Sequence, residues 1–371
     1  MSNPDRRRLL LAASSGLLLS QAGLPAFAQS RSQTSQARKA PLKIGFLYDA
    51  STDHHAGAHA HAESAALLKK QLGRRIQLVP AEQVPEGKDA IAVLRRMCAN
   101  GCQLIFGTAY GFMDPIIRVA RDYPEVRFES NAGFKTADNV GTYNARFYEA
   151  RYLAGMLAAH ASKAGVLAYV APVPVPEVLQ GINAYALGAR AVNPKAVVRV
   201  IWTNNWRDPA RERDAAYTLL SQGADVFTHH TDTVAVAEVA RDRKLKFIGF
   251  QADYARLLGP GLLLGSVLPR WDGYYLARTR RVLDGTWQPD RTWGGLADGM
   301  VRLGMVSANV PASVRRQINT TRQQLVSGRK AVFAGELRDN DGTVRQLGGK
   351  MEDAVLKRMD WLVQGVIGRV A

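Results

Sequence analysis

The sequence predicts an α/β protein made of two doubly wound lobes, and three observations carry this. Short apolar runs alternate with stretches of 3.6-residue apolar spacing, the pattern of a parallel sheet covered by helices on both faces. The alternation restarts near Phe147, giving two such units of similar length. The chain has 371 residues and 47% hydrophobic content, too long for one compact core and apolar enough for two.

The first unit opens on a strand at 43–48, followed by a polar loop from Asp49 to His55. Residues 56–72 are Ala-rich with helical spacing, and 75–80 alternate as a strand. A helix over 87–100 places Ile91, Leu94 and Met97 on one face. Strand 103–107, helix 113–122 and strands 126–129 and 140–143 complete the unit. The second unit runs helix 147–162, strand 165–170, helix 177–191, strand 197–203, helix 209–222, strand 225–228, helix 233–243 and strand 247–250. A strand at 263–268 and a helix at 274–284 follow. The tail is expected to hold helices at 312–328 and 352–367 around a hairpin signalled by Asp339-Asn340-Asp341-Gly342. No long low-complexity linker separates the units, so three short crossings should join them, near 143–147, 249–253 and 284–293. The lobes would then comprise 41–145 plus 252–288, and 146–251 plus 289–371.

The first 28 residues read as a targeting segment. Arg6, Arg7 and Arg8 precede an apolar run at 9–24 that is too short to span a bilayer, and Ala26-Phe27-Ala28 presents small residues for cleavage after Ala28. A buried N-terminal helix has no use for this order. Arg-Arg followed by Leu suggests the twin-arginine route. No Cys follows the run, so a lipid-anchored N-terminus is not expected. Residues 29–40 are Ser, Gln and basic, a disordered leader. The expected location is the periplasm. No second apolar stretch approaches 18 residues, so the mature chain should not cross a membrane.

The net charge is +17, of which the first 28 residues carry +2. Lys and Arg are scattered, with no block of five like charges, so nucleic acid is not an expected partner. Attraction to anionic surfaces or partners is the simpler consequence. Cys98 and Cys102 flank an Asn-Gly helix end. A disulfide and two separate buried thiols both fit this spacing.

In doubly wound sheets ligands sit beyond the carboxyl ends of the strands, so the loops there carry the function. The first holds Asp53, His54, His55, His59 and His61, continuing to Glu63; a metal site and a polar ligand loop are the two readings. The second holds Tyr110 at a strand-to-helix turn. The third is Asn204-Asn205-Trp206-Arg207-Asp208, where a loop Trp suits stacking on a flat ring. The fourth is His229-His230-Thr231-Asp232-Thr233, suited to hydrogen bonding a ligand, with Asp232 or Thr233 capping a helix. Trp271, past the strand at 263–268, either walls the cleft or packs between lobes. No G-x-S-x-G occurs and neither Cys lies near a His, so an exported hydrolase lacks its nucleophile–base pair. Two α/β lobes, export and no enzyme motif point to a periplasmic binding protein that closes on a small ligand by hinge motion.

Several stretches, in one order, resemble the basic membrane protein (Bmp) family of ABC-transporter substrate-binding proteins, which includes purine nucleoside and nucleobase binders. They are Tyr110 to Pro115, Gly133 to Val140, Tyr143 to Gly155, Pro176-Glu177-Val178 with Gly181 to Ala184, Asn205-Trp206 with Asp208-Pro209, His230-Thr231-Asp232, and Trp293 to Leu296 with Asp298 to Val301. The resemblance runs from about Lys43 to Gly368 and implies the type 1 periplasmic binding fold, two lobes joined by a three-strand hinge. It implies a stacking aromatic at Trp206 and polar readers in the first loop and after Phe250. Two departures stand out. Asp53-His54-His55-Ala56 lacks the aromatic usual there, and Gln251 replaces an acidic residue, with Asp253 two positions on. A carboxylate only accepts hydrogen bonds, whereas Gln also donates, so a ligand different from the commonest member's is implied. The expected ligand set is Asp53, His54, Tyr110, Asn205, Trp206, His230, Asp232, Gln251, Asp253 and Trp271. The expected protein is a non-enzymatic, cofactor-free monomer that binds a purine-like molecule and delivers it to an ABC permease in the inner membrane. The competing reading is an exported metal-binding protein using the His54–His61 cluster.

Overall fold

The computed structural model describes residues 40–53 and 55–370. The targeting segment, the leader through residue 39 and His54 therefore lie outside the described residues. Strands form where the sequence is apolar on both faces, because helices cover both sides of each sheet. The first sheet begins with β1 (Leu42–Leu47), β2 (Ile76–Ala81), β3 (Leu104–Gly107), β4 (Arg127–Asn131) and β5 (Val140–Ala145). The second begins with β6 (Val166–Ala171), β7 (Val197–Trp202), β8 (Val226–His229), β9 (Lys246–Phe250) and β10 (Leu263–Pro269). β11 (Arg291–Gly294) then returns to the first sheet and β12 (Val301–Leu303) to the second. β13 (Leu337–Arg338) and β14 (Val344–Gln346) form the expected hairpin, and β15 (Val366–Ile367) edges the second sheet. The orders are β11-β5-β4-β3-β1-β2 and β12-β10-β9-β8-β6-β7-β15. Every strand pair in the two sheets is parallel except β10 with β12.

The helices that cover the sheets are α1 (Ala56–Leu72), α2 (Ala90–Ala99), α3 (Met113–Ala120), α4 (Phe147–Ala161), α5 (Pro176–Val192), α6 (Pro209–Ser221), α7 (Ala235–Asp242), α8 (Ala255–Leu262), α9 (Asp272–Leu283) and α10 (Ala312–Val326). None of the described helices is long and apolar enough to cross a membrane. Where α4 and α5 cross, backbone meets backbone. A Cβ on Gly155 would lie 1.9 Å from the Tyr185 carbonyl oxygen, and one on Gly188 2.0 Å from that of Tyr152. Only glycine allows this approach.

Three short crossings join the lobes, as expected in number, but two lie elsewhere. The first runs from β5 into α4. The second is Pro269 to Asp272, not near 249–253, because β10 pairs with β9 and stays in the second sheet before α9 packs on α1. The third is Gly294 to Val301, not near 284–293, because β11 pairs with β5. Segments 252–269 and 289–294 thus exchange lobes relative to the sequence expectation. The helix expected over 352–367 is also corrected. Only one turn forms, α11 (Asp353–Leu356), and the chain then follows an irregular path with turns at 357–358 and 364–365 before β15. Asn183 fixes it there: its amide donates to the Trp361 carbonyl at 2.8 Å and accepts from Val363 N–H at 2.8 Å. Side-chain hydrogen bonds from α5 replace those a helix would make. Cys98 and Cys102 are free and buried, and burial raises both thiol pKa values.

The first lobe is pinned by a buried ion pair. Glu129 on β4 is fully buried against Arg278 of α9, and also accepts from Tyr274 Oη at 2.7 Å and Trp287 Nε1 at 2.8 Å. The crossings are packed with aromatics. Trp271 is 2% exposed, stacks on His61 with centroids 5.0 Å apart, and meets Tyr143 and Phe147 edge-on. Of its two readings, this burial supports packing between the lobes.

Candidate functional site

Each sheet has one point where successive connections leave in opposite directions. In the first, β2 and β3 flank β1; in the second, β7 and β8 flank β6. Ligands of doubly wound sheets bind outside the carboxyl ends at such points. The loops there follow β1 and β3 in one lobe, and β6 and β8 in the other.

Side chains from both lobes meet around the loops after β1 and β8, joined by the loops after β7 and β9. Arg207, after β7, pairs with Asp49, after β1, and its Nε donates to Asp232 Oδ2 at 2.9 Å. The other oxygen of Asp232 accepts the Gly57 N–H of α1 at 2.9 Å. A single guanidinium thus bridges two carboxylates of opposite lobes, in the planar geometry Arg favours. Gln251 reaches the same place: a Cβ on Gly57 would lie 2.5 Å from its Oε1 and 3.6 Å from Asp232 Oδ1. Gln251 itself sits at φ 61, a left-handed conformation that a non-glycine residue adopts at a cost and that is concentrated at ligand clamps.

Trp206 lies beside this cluster. Its carbonyl accepts the Asp232 N–H at 2.9 Å, and its ring meets His230 edge-on, with centroids 6.4 Å apart. It remains 40% exposed, so it is not a core residue. Behind it, His230 is buried with Nδ1 2.9 Å from Tyr169 Oη. Arg151, fully buried, donates to Thr228 Oγ1 at 3.1 Å and to the His229 carbonyl at 2.8 Å, and lies over the Phe250 ring. It fixes the ends of β8 and β9 from beneath; burial pulls its pKa down.

Of the sequence-derived set, Trp206, His230, Asp232 and Gln251 are brought together. Asn205 is exposed on the same loop and turns it, accepting Arg207 N–H at 2.9 Å. Asp53 is exposed, with its N–H on Ser51 Oγ at 3.3 Å. Tyr110 is 58% exposed beside Phe134 in the first lobe. Asp253 is exposed and accepts Ala255 N–H at 2.9 Å as a local cap. These last three make no hydrogen bond to the bridged cluster. Thr233, not Asp232, caps the next helix, accepting Ala235 N–H at 3.2 Å. Sequence reasoning missed Asp49, Gly57 and Arg207 as contacts, although the loops containing the two charged residues were singled out. It also missed the loop after β6, whose Pro-Val-Pro run reads only as a helix start.

The described histidines of the first loop point to three different places. His55 Nδ1 lies 3.9 Å from Asp232, His59 Nδ1 is hydrogen-bonded to the Thr52 carbonyl at 2.9 Å, and His61 is buried on Tyr275 Oη at 2.6 Å. Among the described residues no group of three His, Cys, Asp or Glu stands together as metal ligands.

Burial lowers the pKa of His61 and of His229 to about 3, and that of His230 well below its usual value. The unfolded chain takes up protons at these imidazoles as pH falls through about 6.5, while the folded chain resists until far lower, so stability is lost with acid. Each imidazole contributes a slope of about 1.4 kcal/mol per pH unit below that point. Replacing His61 with Phe, which keeps the stack on Trp271, should flatten the dependence by one such slope in urea unfolding between about pH 6 and pH 4. An unchanged slope would show that His61 is charged in the folded protein.

Known proteins similar to this chain identify its family. The family model for PnrA-like ABC transporter substrate-binding proteins matches residues 42–332. A purine-binding protein of Brucella abortus (strain 2308) is 40% identical over 326 residues, covering 88% of this chain and 93% of that protein. A Haloferax volcanii protein whose name proposes an ABC transporter glucose-binding role is 34% identical over 282 residues, covering 76% and 70%. A solved solute-binding protein of an ABC transporter system from Conexibacter woesei superposes with a TM-score of 0.66 at 22% identity, covering 78% of this chain and 98% of that one. With the family model matching most of the described residues and a relative 40% identical over nearly its whole length, this chain belongs to the PnrA-like, or Bmp, family of ABC transporter substrate-binding proteins.

Proposed function

We propose that this protein is the periplasmic receptor of an ABC transporter, exported and cleaved after Ala28, and that it captures a purine base or nucleoside as its lobes close. The observation that carries the reading is the exposed Trp206 ring beside carboxylates of both lobes. A purine offers a flat face for the ring and a rim of donors and acceptors for Asp49, Asp232 and Gln251. The purine-binding name of the Brucella relative supports the same class. Arg207 orients the two carboxylates of the rim, and the N–H groups of a purine are donors of the kind those carboxylates accept. The protein works as a monomer and hands its ligand to an inner-membrane permease. The Haloferax name favours a second reading, a sugar stacked on Trp206 with its hydroxyls on the carboxylates.

Calorimetry on the chain beginning at Gln29, with adenine, hypoxanthine, adenosine, inosine and glucose, separates these. The expected result is saturable binding of a purine at one site, with a more compact particle in solution scattering. Glucose binding without purine binding would overturn the purine assignment, and no change of shape on binding would count against hinge closure.

A further inference from the structure

We propose that Glu177 and His230 form a paired hydrogen-bonding reader for the edge of the ligand, selecting a ring that carries an N–H donor next to a nitrogen or oxygen acceptor. The proposal rests on the Trp206 cleft being the ligand site and names the groups that choose among flat rings there.

The two residues flank the point where the second sheet reverses its winding. Glu177 lies in the first turn of α5, which follows β6, and His230 directly follows β8, the neighbour of β6. His230 Nδ1 lies 2.9 Å from Tyr169 Oη. Tyr169 is fully buried, and this is the only hydrogen-bond partner of its hydroxyl among the described residues. A buried hydroxyl proton needs an acceptor, so Tyr169 donates to Nδ1 and the ring proton of His230 sits on Nε2. That N–H is buried and has no partner among the described residues. The nearest carboxylate oxygen, Glu177 Oε1, is 4.0 Å away, too far for a hydrogen bond.

The carboxylate is held from the opposite lobe's sheet. Its Oε2 accepts Asn144 Nδ2 at 2.7 Å, and Asn144 lies on β5 next to the first crossing, leaving Oε1 aimed beside His230. An unspent donor and an acceptor therefore stand side by side, the donor on an imidazole that the Trp206 ring meets edge-on. A flat molecule laid on Trp206 brings its rim to them. The complementary rim is an acceptor next to an N–H: the ring nitrogen and amino group of an aminopurine, or the carbonyl and ring N–H of an oxopurine. Glu177 is partly exposed, so it is the bound ring that takes its free oxygen out of water; a ligand without such an N–H then leaves that oxygen unpaired, which is what makes this kind of discrimination steep.

The test compares adenine with its dimethylamino analogue, and hypoxanthine with its ring-N-methylated analogue, on the wild type, Glu177→Ala and Glu177→Gln. His230→Asn serves as the second arm, with melting curves to establish that each variant is folded. The wild type should prefer the parent base, and Glu177→Ala should lose about 10- to 100-fold for the parent while binding of the methylated analogue hardly changes. Equal weakening of both ligands would overturn the proposal and assign Glu177 a structural role, as would unchanged affinity for both. If the wild type binds purines but every Glu177 variant retains its discrimination, this pair is wrong and the function stands. If the wild type binds no purine, both fall.

Discussion

Trp206→Ala should weaken purine binding about 5- to 150-fold, the equivalent of about 1–3 kcal/mol for one base stacked on one aromatic ring. The melting temperature should stay near that of the wild type. The stability expectation follows from exposure: Trp206 is 40% exposed and lies outside the core, so its removal opens no buried cavity. The loop does not depend on the ring, because its turns are made by Asn205 Oδ1, by Thr203 Oγ1 on the Asn205 carbonyl at 2.7 Å, and by the Trp206 carbonyl on Asp232 N–H. Trp206→Phe keeps a π-face and should retain much of the affinity. Calorimetry on the folded variants decides. A destabilised Trp206→Ala protein with unchanged affinity would mean that the ring serves the fold.

The largest stability effect is expected far from the ligand. Glu129→Ala should cost about 3–5 kcal/mol, because it leaves the Arg278 charge buried and uncompensated. Glu129 is fully buried and the Arg278 side chain is 3% exposed, so solvent cannot replace the lost partner. Tyr274 Oη and Trp287 Nε1 lose their acceptor as well. The double variant Glu129→Leu with Arg278→Met should recover most of the loss, since a packed apolar pair avoids the desolvation of two ions. Denaturant unfolding measures both. A single variant as stable as the wild type would show that water reaches the pair. Ligand affinity of the folded fraction should be unaffected, because Glu129 makes no contact with the loops that meet across the cleft.

Wherever structure is set by neighbours along the chain, the sequence by itself determined it. Helix α1 was legible from end to end because its apolar spacing is local, and β1 to β10 were legible as short runs between turns, whereas the short edge strands β11, β12 and β15 were not, because each is defined only by the strand it pairs with. Most loops at the carboxyl ends were legible too, since the rule that places ligands there needs only where each strand ends along the chain, although the loop after β6 was missed. Pairing is different. Nothing within Leu263–Pro269 or Arg291–Gly294 says which sheet receives it, and only the pairing of β10 with β9 and of β11 with β5 decided the lobes and two of the three crossings. The apolar residues after Leu356 were visible, but their non-helical path is held by Asn183, far away in sequence. The same holds in the cleft. Trp206 and Trp271 are chemically alike on the page of the sequence, and only packing left one ring open and stacked the other on His61. Asp49 and Arg207 are 158 positions apart. Their attraction, like that of Glu177 for whatever lies beside His230, acts only at contact distance, and contact distance is a property of the folded chain.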